Sequence, residues 1–453
     1  MAKQLKSKKK RRQTLEKLRQ QQTEQQYDYL TERHIVKPSH SHFPVLVHYA
    51  HLANNVYNQG LYRVRQALFD GHWMTYGQLN TSLKQSKEQR DCMLYSSMHS
   101  VHLTQQVLKL VAQNMESWRK ARKAYAKNPS KFTGCPRLPK YLKKGGMTSF
   151  VVDNQTAKLR QPDKKTGRCF VEIPVLNNFK IELQHLETDK IQQVRIIPEN
   201  GCFVVEVVYK TNQTINYKLD NHRYLTIDPG LDNAFTLATN VPGIQPVIIN
   251  GQPLKAINQY YNKRRAKLSQ ILDLANLPKT SHRLDRLDFY RNQKVMAFAH
   301  EASKRIVKFA LSHELNTIII GKNKGQKRSV NMGKRNNQNF IGIPHQKIIE
   351  MIKYKANLVG IAVIQHNEAY TSQTSFLDGE APVNSNGNKA RKRRGLSPAK
   401  RRIKRGLFRS NNGTLINADV NGALQILRKV VPNAFADGIE GIGLCPVKLN
   451  LSF

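Results

Sequence analysis

Three acidic residues stand where the sequence pattern predicts that a strand ends or a helix begins. Asp228 ends the predicted strand YLTID, Glu368 follows the predicted strand IAVIQH, and Asp419 begins the last predicted helix. Strand ends and a helix start can converge on one point even when they are far apart in the chain. Because converging carboxylates repel one another, such a group usually exists to hold hard divalent cations. Two such ions about 4 Å apart can activate a water molecule and stabilise the leaving oxygen in phosphodiester hydrolysis.

Each of these acids also has an ordinary structural explanation when it is taken alone. An Asp before Pro-Gly is usually a turn residue, an Asp at a helix start is usually a cap, and a Glu after a strand is usually solvated. The three together, in this order, favour a nuclease that uses Mg²⁺, with two ions expected.

The charge of the chain points to a polyanionic partner. There are 74 Lys and Arg against 31 Asp and Glu, which gives a net charge of +43, while 39% of the residues are hydrophobic. Recurring apolar segments indicate a folded protein. With no run of 18 apolar residues and no hydrophobic leader, we expect no membrane partner and a prokaryotic, cytoplasmic, nucleoid-associated location, with a nuclear one as the weaker alternative.

The elements that would position the three acids begin at Tyr224. Three strands with short Gly, Asn and Pro turns predict an antiparallel meander. Two long helices, the buried-looking strand TIIIG, a helix after Pro344, the strand Ile361 to His366 and the final helix follow. This order is typical of a ribonuclease H-like α/β fold.

The rest of the chain divides into regions of different pattern. Residues 1–27 predict a basic mobile arm, and residues 44–129 predict a helical region inserted into a small β-barrel or sheet formed by residues 28–43 and 130–220. The remaining residues, 221–453, form the predicted nuclease domain.

Four segments carry a resemblance to a known family. They are LTIDPGLDN (225–233), IIIGKNKGQK (318–327), NQNFIGIPHQKIIEMIKYKANLVGIAVIQHNEAYTSQTSFLD (337–378) and NADVNGALQILRK (417–429). They resemble the RuvC nuclease motifs of the TnpB family, formerly called OrfB transposases. These are RNA-guided endonucleases of bacterial transposons, related to type V CRISPR effectors. A weaker likeness extends to PRLPKYLKKGG (136–146) and the helical block before it.

The resemblance implies a fold, a site and partners. The fold would be multidomain α+β: a wedge-type β-barrel with an inserted helical recognition lobe, followed by an RNase H-like RuvC domain. Asp228, Glu368 and Asp419 match the catalytic, metal-binding positions of the family. The expected function is RNA-guided, Mg²⁺-dependent cleavage of DNA. The partners would be a structured guide RNA, the double-stranded DNA target with its displaced single strand, and a transposase encoded alongside. The alternatives are a nuclease-silent RNA-guided repressor and a transposase that joins strands.

One departure from the family concerns zinc. The family commonly carries a zinc ribbon with two Cys-x-x-Cys pairs, but the matching positions here are Ser375 with Asp378 and Arg409 with Asn412. Since these residues supply no thiolates, we expect no zinc site. The segment 379–413 is predicted to be a basic insert that replaces the ribbon, because residues 389–409 contain eleven Lys and Arg and no acid.

Two groups of basic residues are candidates for contacts with nucleic acid. They are Lys263, Arg264, Arg265 and Lys267 in a predicted helix, and Arg391, Lys392, Arg393, Arg394, Arg401 and Arg402 in the basic insert. The helix could line a channel for a heteroduplex or form a charged outer face. The insert could bind phosphates or be a solvated loop.

Overall fold

A computed structural model of the chain divides into two compact units. The first unit is formed by residues 28–212, and the second by residues 1–27 together with 213–453. The structure describes residues 15–17, 19–20, 29–160, 168–184, 191–210, 216–322, 342–369, 371–382, 401–404 and 406–453.

The first unit combines four helices with two antiparallel sheets. Its elements are β1 (Tyr29–Val36), α1 (Phe43–Phe69), α2 (Tyr76–Lys84), α3 (Gln89–Ser96), α4 (Val101–Lys127), β2 (Phe150–Asp153), β3 (Lys158–Arg160), β4 (Phe170–Ile173), β5 (Phe179–Glu182), β6 (Ile191–Glu199) and β7 (Cys202–Lys210). One sheet has the order β1-β7-β6-β2 and the other the order β3-β4-β5. Because β1 pairs with β7 along its whole length, the four helices are inserted between strands of one sheet.

The helices of the first unit pack through small and apolar residues. Helix α1 has Pro44 in its first turn, where a missing N–H costs nothing, and α4 begins after Ser100, whose side chain accepts a hydrogen bond from the N–H of Leu103. A Cβ on Gly60 of α1 would lie 2.8 Å from Leu108 Cδ2 of α4. The glycine therefore allows the two long helices to approach closely.

The second unit is built on one mixed sheet with helices. Its elements are β8 (Tyr224–Pro229), β9 (Asn233–Thr239), β10 (Val247–Asn250), α5 (Gln252–Leu274), α6 (His282–Ser312), β11 (Thr317–Gly321), α7 (His345–Leu358), β12 (Ala362–His366), β13 (Arg402–Lys404), β14 (Leu407–Arg409), β15 (Leu415–Asn417), α8 (Ala418–Val430) and β16 (Val447–Leu449). The main sheet has the order β12-β11-β8-β9-β10-β16. Strands β13, β14 and β15 form a separate small sheet.

The pairing within the main sheet confirms the predicted meander. Strands β8, β9 and β10 are antiparallel, whereas β11 is parallel to both β8 and β12. The sequence analysis did not predict β16, a three-residue edge strand that pairs with β10 in parallel and is too short to show a periodic pattern. Helix α5 begins at Gln252, with Pro253 tolerated in its first turn.

Part of the N-terminal region docks on the second unit, which differs from the mobile arm predicted for residues 1–27. The described residues 15–17 and 19–20 are helical, and Leu15 is buried in a cluster that includes Tyr224 and Leu427. Arg19 Nη2 donates to the carbonyl oxygen of Lys218 at 2.7 Å. The run around Leu15 contains few apolar residues, so the sequence pattern did not reveal this contact. In the part of the chain that the structure describes, no helix has an apolar stretch suited to crossing a bilayer.

Candidate nuclease site

The three predicted acids lie at elements that meet at one edge of the main sheet. Asp228 is the last residue but one of strand β8, Glu368 follows the end of β12 by two residues, and Asp419 is the second residue of helix α8. Strands β8, β11 and β12 run parallel, so their carboxyl ends share an edge. We call Asp228, Glu368 and Asp419 the acidic edge.

The electrostatics of the acidic edge reflect the closeness of its members. Burial, followed by the negative charges of Glu368 and Asp419, raises the pKa of Asp228 well above its ordinary value, with Arg402 acting in the opposite direction. Burial also raises the pKa of Glu368 to about 7, against the opposing charge of Lys429. The chain's own cations therefore do not compensate these two carboxylates. A cation supplied from outside would favour their ionised forms.

Two glycines shape the space around the carboxylates. A Cβ on Gly321, the last residue of β11, would overlap Glu368 Oε2 and lie 2.6 Å from Ile426 Cδ1. A Cβ on Gly422 would lie 2.8 Å from Asp228 Oδ2. Glycine within a helix costs roughly 1 kcal/mol relative to alanine. Gly422 lies within helix α8 despite this cost, because a side chain there would occupy the position of the Asp228 carboxylate.

Polar side chains hold the backbone and carboxylates of the edge in place. Asn233 Nδ2 donates to Asp419 Oδ2 at 2.5 Å, and the Asn417 side chain caps α8 by accepting from the N–H of Asp419 at 3.0 Å. His345 Nε2 lies 2.8 Å from the carbonyl oxygen of Gly230, in the turn after Asp228. Sequence analysis did not identify Asn233 as a site residue, although it is the last residue of the motif LTIDPGLDN.

Oxygen ligands of this kind suit Mg²⁺, and the glycines leave space beside two of them. Among the described residues, however, no group of three His, Cys, Asp or Glu side chains has the arrangement of a metal-coordination shell. The carboxylates are thus close enough to interact electrostatically without forming a closed ligand set. The chemistry of the donors fits a hard divalent cation, and the ion geometry is not defined by the side chains as they stand.

At the position of the family's zinc ribbon, backbone and side-chain hydrogen bonds join the two turns. Ser375 Oγ accepts from the N–H of Asp378 at 3.3 Å, and both carboxylate oxygens of Asp378 accept from the N–H of Asn411, at 3.0 and 3.1 Å. Asn412 Oδ1 accepts from the N–H of Thr414 at 3.0 Å. These residues therefore have a structural role through hydrogen bonds.

Arg401 lies at the centre of this region. Its Nη1 donates to Glu380 Oε1 at 2.8 Å and lies 3.8 Å from Asp378 Oδ2, and its Nη2 donates to Asn411 Oδ1 at 2.7 Å. The Arg401 side chain is only 7% exposed. We call these four residues the Arg401 network. The structure thereby corrects the sequence prediction for Arg401, whose guanidinium is committed to partners within the chain rather than presented to nucleic acid.

The other predicted nucleic-acid contacts lie in different settings. Lys263, Arg264, Arg265 and Lys267 are exposed on α5. Arg265 makes two hydrogen bonds with the Asp288 carboxylate, at 2.8 and 2.9 Å. Arg402 is exposed and its charge acts on Asp228. The remaining predictions, Arg391, Lys392, Arg393 and Arg394, lie outside the described residues.

Two family models match parts of the sequence. The model described as "Probable transposase" (OrfB_IS605) matches residues 206–327, and the model described as "Cas12f1-like, TNB domain" matches residues 345–426. Together these segments contain Asp228, Glu368 and Asp419. Among curated proteins, none matches the sequence significantly.

Several solved structures are similar to this chain at low identity. A "Cas12f1-sgRNA-target DNA complex" is 13% identical, with 88% of this chain and 98% of that chain covered and a TM-score of 0.33. The "mini-RNA-guided endonuclease CRISPR-Cas_phi3" is 12% identical, with 89% and 92% covered and a TM-score of 0.41.

Fold and site together define a multidomain α/β protein with a partly buried acidic edge on its larger sheet. The matched segments overlap those on which the sequence resemblance rests, and that resemblance is confirmed. Over residues 206–327 the chain is similar to the OrfB-type transposases, and over residues 345–426 to the Cas12f1-like TNB domain.

Proposed function

We propose that this protein is an RNA-guided DNA endonuclease of a transposon. Its second unit would be an RNase H-like RuvC domain that hydrolyses phosphodiesters at Asp228, Glu368 and Asp419. The first unit would be the wedge-type β-barrel with its inserted recognition lobe. The observation that carries the proposal is the position of Asp228, Glu368 and Asp419 on elements that meet at one edge of the main sheet, where burial and then the charges of Glu368 and Asp419 raise the pKa of Asp228. A net charge of +43 supports a nucleic-acid substrate.

The roles of the residues follow from their positions. Asp228, Glu368 and Asp419 would hold Mg²⁺, which when bound supplies Lewis-acid activation of water and stabilisation of the leaving oxygen. Asn233 orients the Asp419 carboxylate, and Gly321 and Gly422 set how closely Glu368 and Asp228 approach neighbouring backbone. The exposed Arg402 beside Asp228 would contact the phosphate backbone of the strand to be cut.

The partners of the reaction would be a structured guide RNA and a double-stranded DNA target. In this class of mechanism, sequence recognition is delegated to base pairing, so the protein needs charge and shape more than side chains that read bases. A chain with this excess of cations is suited to hold both the heteroduplex and the displaced strand. A transposase encoded alongside is a further proposed partner.

The test begins with sequencing of the RNA that copurifies with the protein. A complex programmed with that RNA should cut a matching DNA in Mg²⁺. Asp228→Ala, Glu368→Ala and Asp419→Ala should each abolish cutting and leave RNA-dependent DNA binding largely intact. Glu440→Ala removes an exposed acid of the same unit and serves as the matched control. Wild-type cutting by any of the three variants would remove that acid from the mechanism.

A strand-joining transposase is the second candidate, because the matching family model carries that description. The two reactions give different products from one assay. Hydrolysis leaves free ends, whereas joining produces a recombinant strand that is longer than the substrate. Joined products in the absence of a guide would favour the transposase.

A further inference from the structure

Helices α5 and α6 of the second unit enclose a groove of about 520 Å³ that shares no residue with the acidic edge. From α5 it is lined by Tyr260, Arg264 and Leu268, which are spaced by four residues and so lie on one face of the helix. Helix α6 contributes Arg283, Arg286, Leu287 and Tyr290, which follow the same helical spacing. The groove therefore has an apolar floor, two aromatic rings and three guanidinium groups.

The two tyrosines are unusually open to solvent for aromatic residues on packed helices. Tyr260 is 55% exposed and Tyr290 is 49% exposed. Neither ring is needed to join the helices, since the neighbouring Tyr261 fulfils that role by donating from its hydroxyl to Asp288 Oδ1 at 2.8 Å. Two exposed rings at one groove offer flat surfaces on which planar ligands can stack.

The three arginines of the groove differ from the arginine beside them. Arg265 is paired with Asp288, whereas Arg264, Arg283 and Arg286 make no salt bridge or hydrogen bond with the described part of the chain. All three are exposed. Cations that the protein leaves unpaired around a cleft attract anions, and guanidinium groups suit phosphate oxygens.

We propose that this groove binds an unpaired segment of RNA, with bases stacked on Tyr260 and Tyr290 and phosphates bound by Arg264, Arg283 and Arg286. Alternation of rings and cations is the pattern that binds single strands without reading sequence. A duplex would present phosphates but bury its base faces, and the two rings would then have no partner. The choice of RNA rests on the proposed function, since a guide RNA is present before any DNA strand has been opened.

The test measures binding of the full-length protein to labelled oligouridylate, without Mg²⁺, across several salt concentrations. Tyr260→Ala combined with Tyr290→Ala should weaken binding about tenfold or more, while Tyr260→Phe combined with Tyr290→Phe should leave it within about twofold, because phenylalanine keeps the stacking face. Neither pair of substitutions should change the binding of a duplex RNA hairpin much. Ultraviolet cross-linking of the wild-type protein to oligouridylate should label Tyr260 or Tyr290.

A second pair of variants separates the groove from general charge. Arg264→Ala with Arg286→Ala should weaken binding and reduce the slope of log affinity against log salt by about 1.4, at about 0.7 per phosphate contact on a single strand. Lys304→Ala with Lys308→Ala removes the same charge from the exposed surface of α6 outside the groove and should change the slope less.

Three results would overturn the proposal. The first is an equal effect of the arginine and lysine pairs on the salt dependence, and the second is equal binding by the alanine and phenylalanine pairs of the tyrosines. The third is that the alanine pair of the tyrosines loses binding to oligothymidylate while its binding to oligouridylate is unchanged, which would make DNA the occupant. Cross-linking needs no variant and so does not depend on any variant's folding. Because none of these measurements requires cutting, their failure is distinct from failure of the nuclease proposal, which the acid variants test.

Discussion

The second unit contains two acidic clusters with opposite electrostatic arrangements. At the acidic edge, burial and like charge raise the pKa of Asp228, and that of Glu368 rises to about 7. In the Arg401 network, Asp378 and Glu380 are also largely buried, at 12% and 14% side-chain exposure, but a buried guanidinium lies between them. In the second cluster a guanidinium of the chain lies between the acids, whereas at the first the net effect of the surroundings disfavours the ionised acids. The comparison separates acids that serve structure from acids that are proposed to serve chemistry.

The largest expected effect on stability comes from removing the guanidinium group of the Arg401 network. Arg401→Ala leaves Asp378 and Glu380 without their shared partner, so it should lower the free energy of unfolding by about 3–5 kcal/mol. Denaturant unfolding measures the change. Arg402→Ala, at the exposed neighbouring residue, should stay within about 0.5 kcal/mol of wild type. The double variant Arg401→Met with Glu380→Gln should recover part of the loss, and a fully stable single variant would contradict the structural role.

Neutralising an acid of the acidic edge should instead raise the free energy of unfolding. The pKa of Glu368 is raised from 4.5 to about 7, so between these pH values the folded protein keeps a proton that the unfolded chain has lost. Stability therefore falls as pH rises through this window, by up to about 3 kcal/mol at about 1.4 kcal/mol per pH unit. Glu368→Gln removes this dependence and should be more stable than wild type at pH 8 without Mg²⁺.

The control for this stabilising effect is Glu380→Gln in the Arg401 network. It weakens an ion pair with Arg401 and should reduce stability at the same pH. Unfolding curves at several pH values distinguish the two variants. Loss of stability in both would mean that the acidic edge is compensated after all.

Filling the space beside a carboxylate is expected to have a smaller effect, which falls on the rate of DNA cutting rather than on folding. Gly321→Ala would push the Glu368 carboxylate from its position, and a displacement of about 1 Å at a reacting group can cost about a hundredfold in rate. Gly406→Ala is the matched control near the Arg401 network, where a Cβ meets no atom within 4 Å. Cleavage rates of the programmed complex measure both. Equal rates for the two variants would show that Glu368 tolerates displacement.

The sequence predicted the acidic edge because its acids coincide with the ends of strongly periodic elements. The three strands from Tyr224 and the helix after Asn417 alternate or repeat in ways that burial enforces, and their termini then converge by topology alone. The partners of those acids were harder to predict. Asn233 contacts Asp419 across 186 residues of sequence, and no local pattern specifies such a pair.

The same limit explains the corrections. Arg401 lies in a run of basic residues, and composition alone suggests an exposed phosphate contact. Only the tertiary fold brings Asp378 and Glu380 to it. Leu15 likewise lies in a mostly polar segment, and its burial depends on residues more than 200 positions away.

We expect no effect from removing zinc, and this expectation tests the comparison at the positions that match the zinc ribbon. Ser375, Asp378, Arg409 and Asn412 offer no thiolate, and hydrogen bonds already join the turns that a zinc ion would hold. A zinc-selective chelator should therefore leave stability and cutting unchanged, whereas removal of Mg²⁺ should stop cutting and leave the fold intact. Elemental analysis of the purified protein provides the independent check. Stoichiometric zinc would mean that ligands elsewhere in the chain hold it, and the Arg401 network would then not be the replacement for the ribbon.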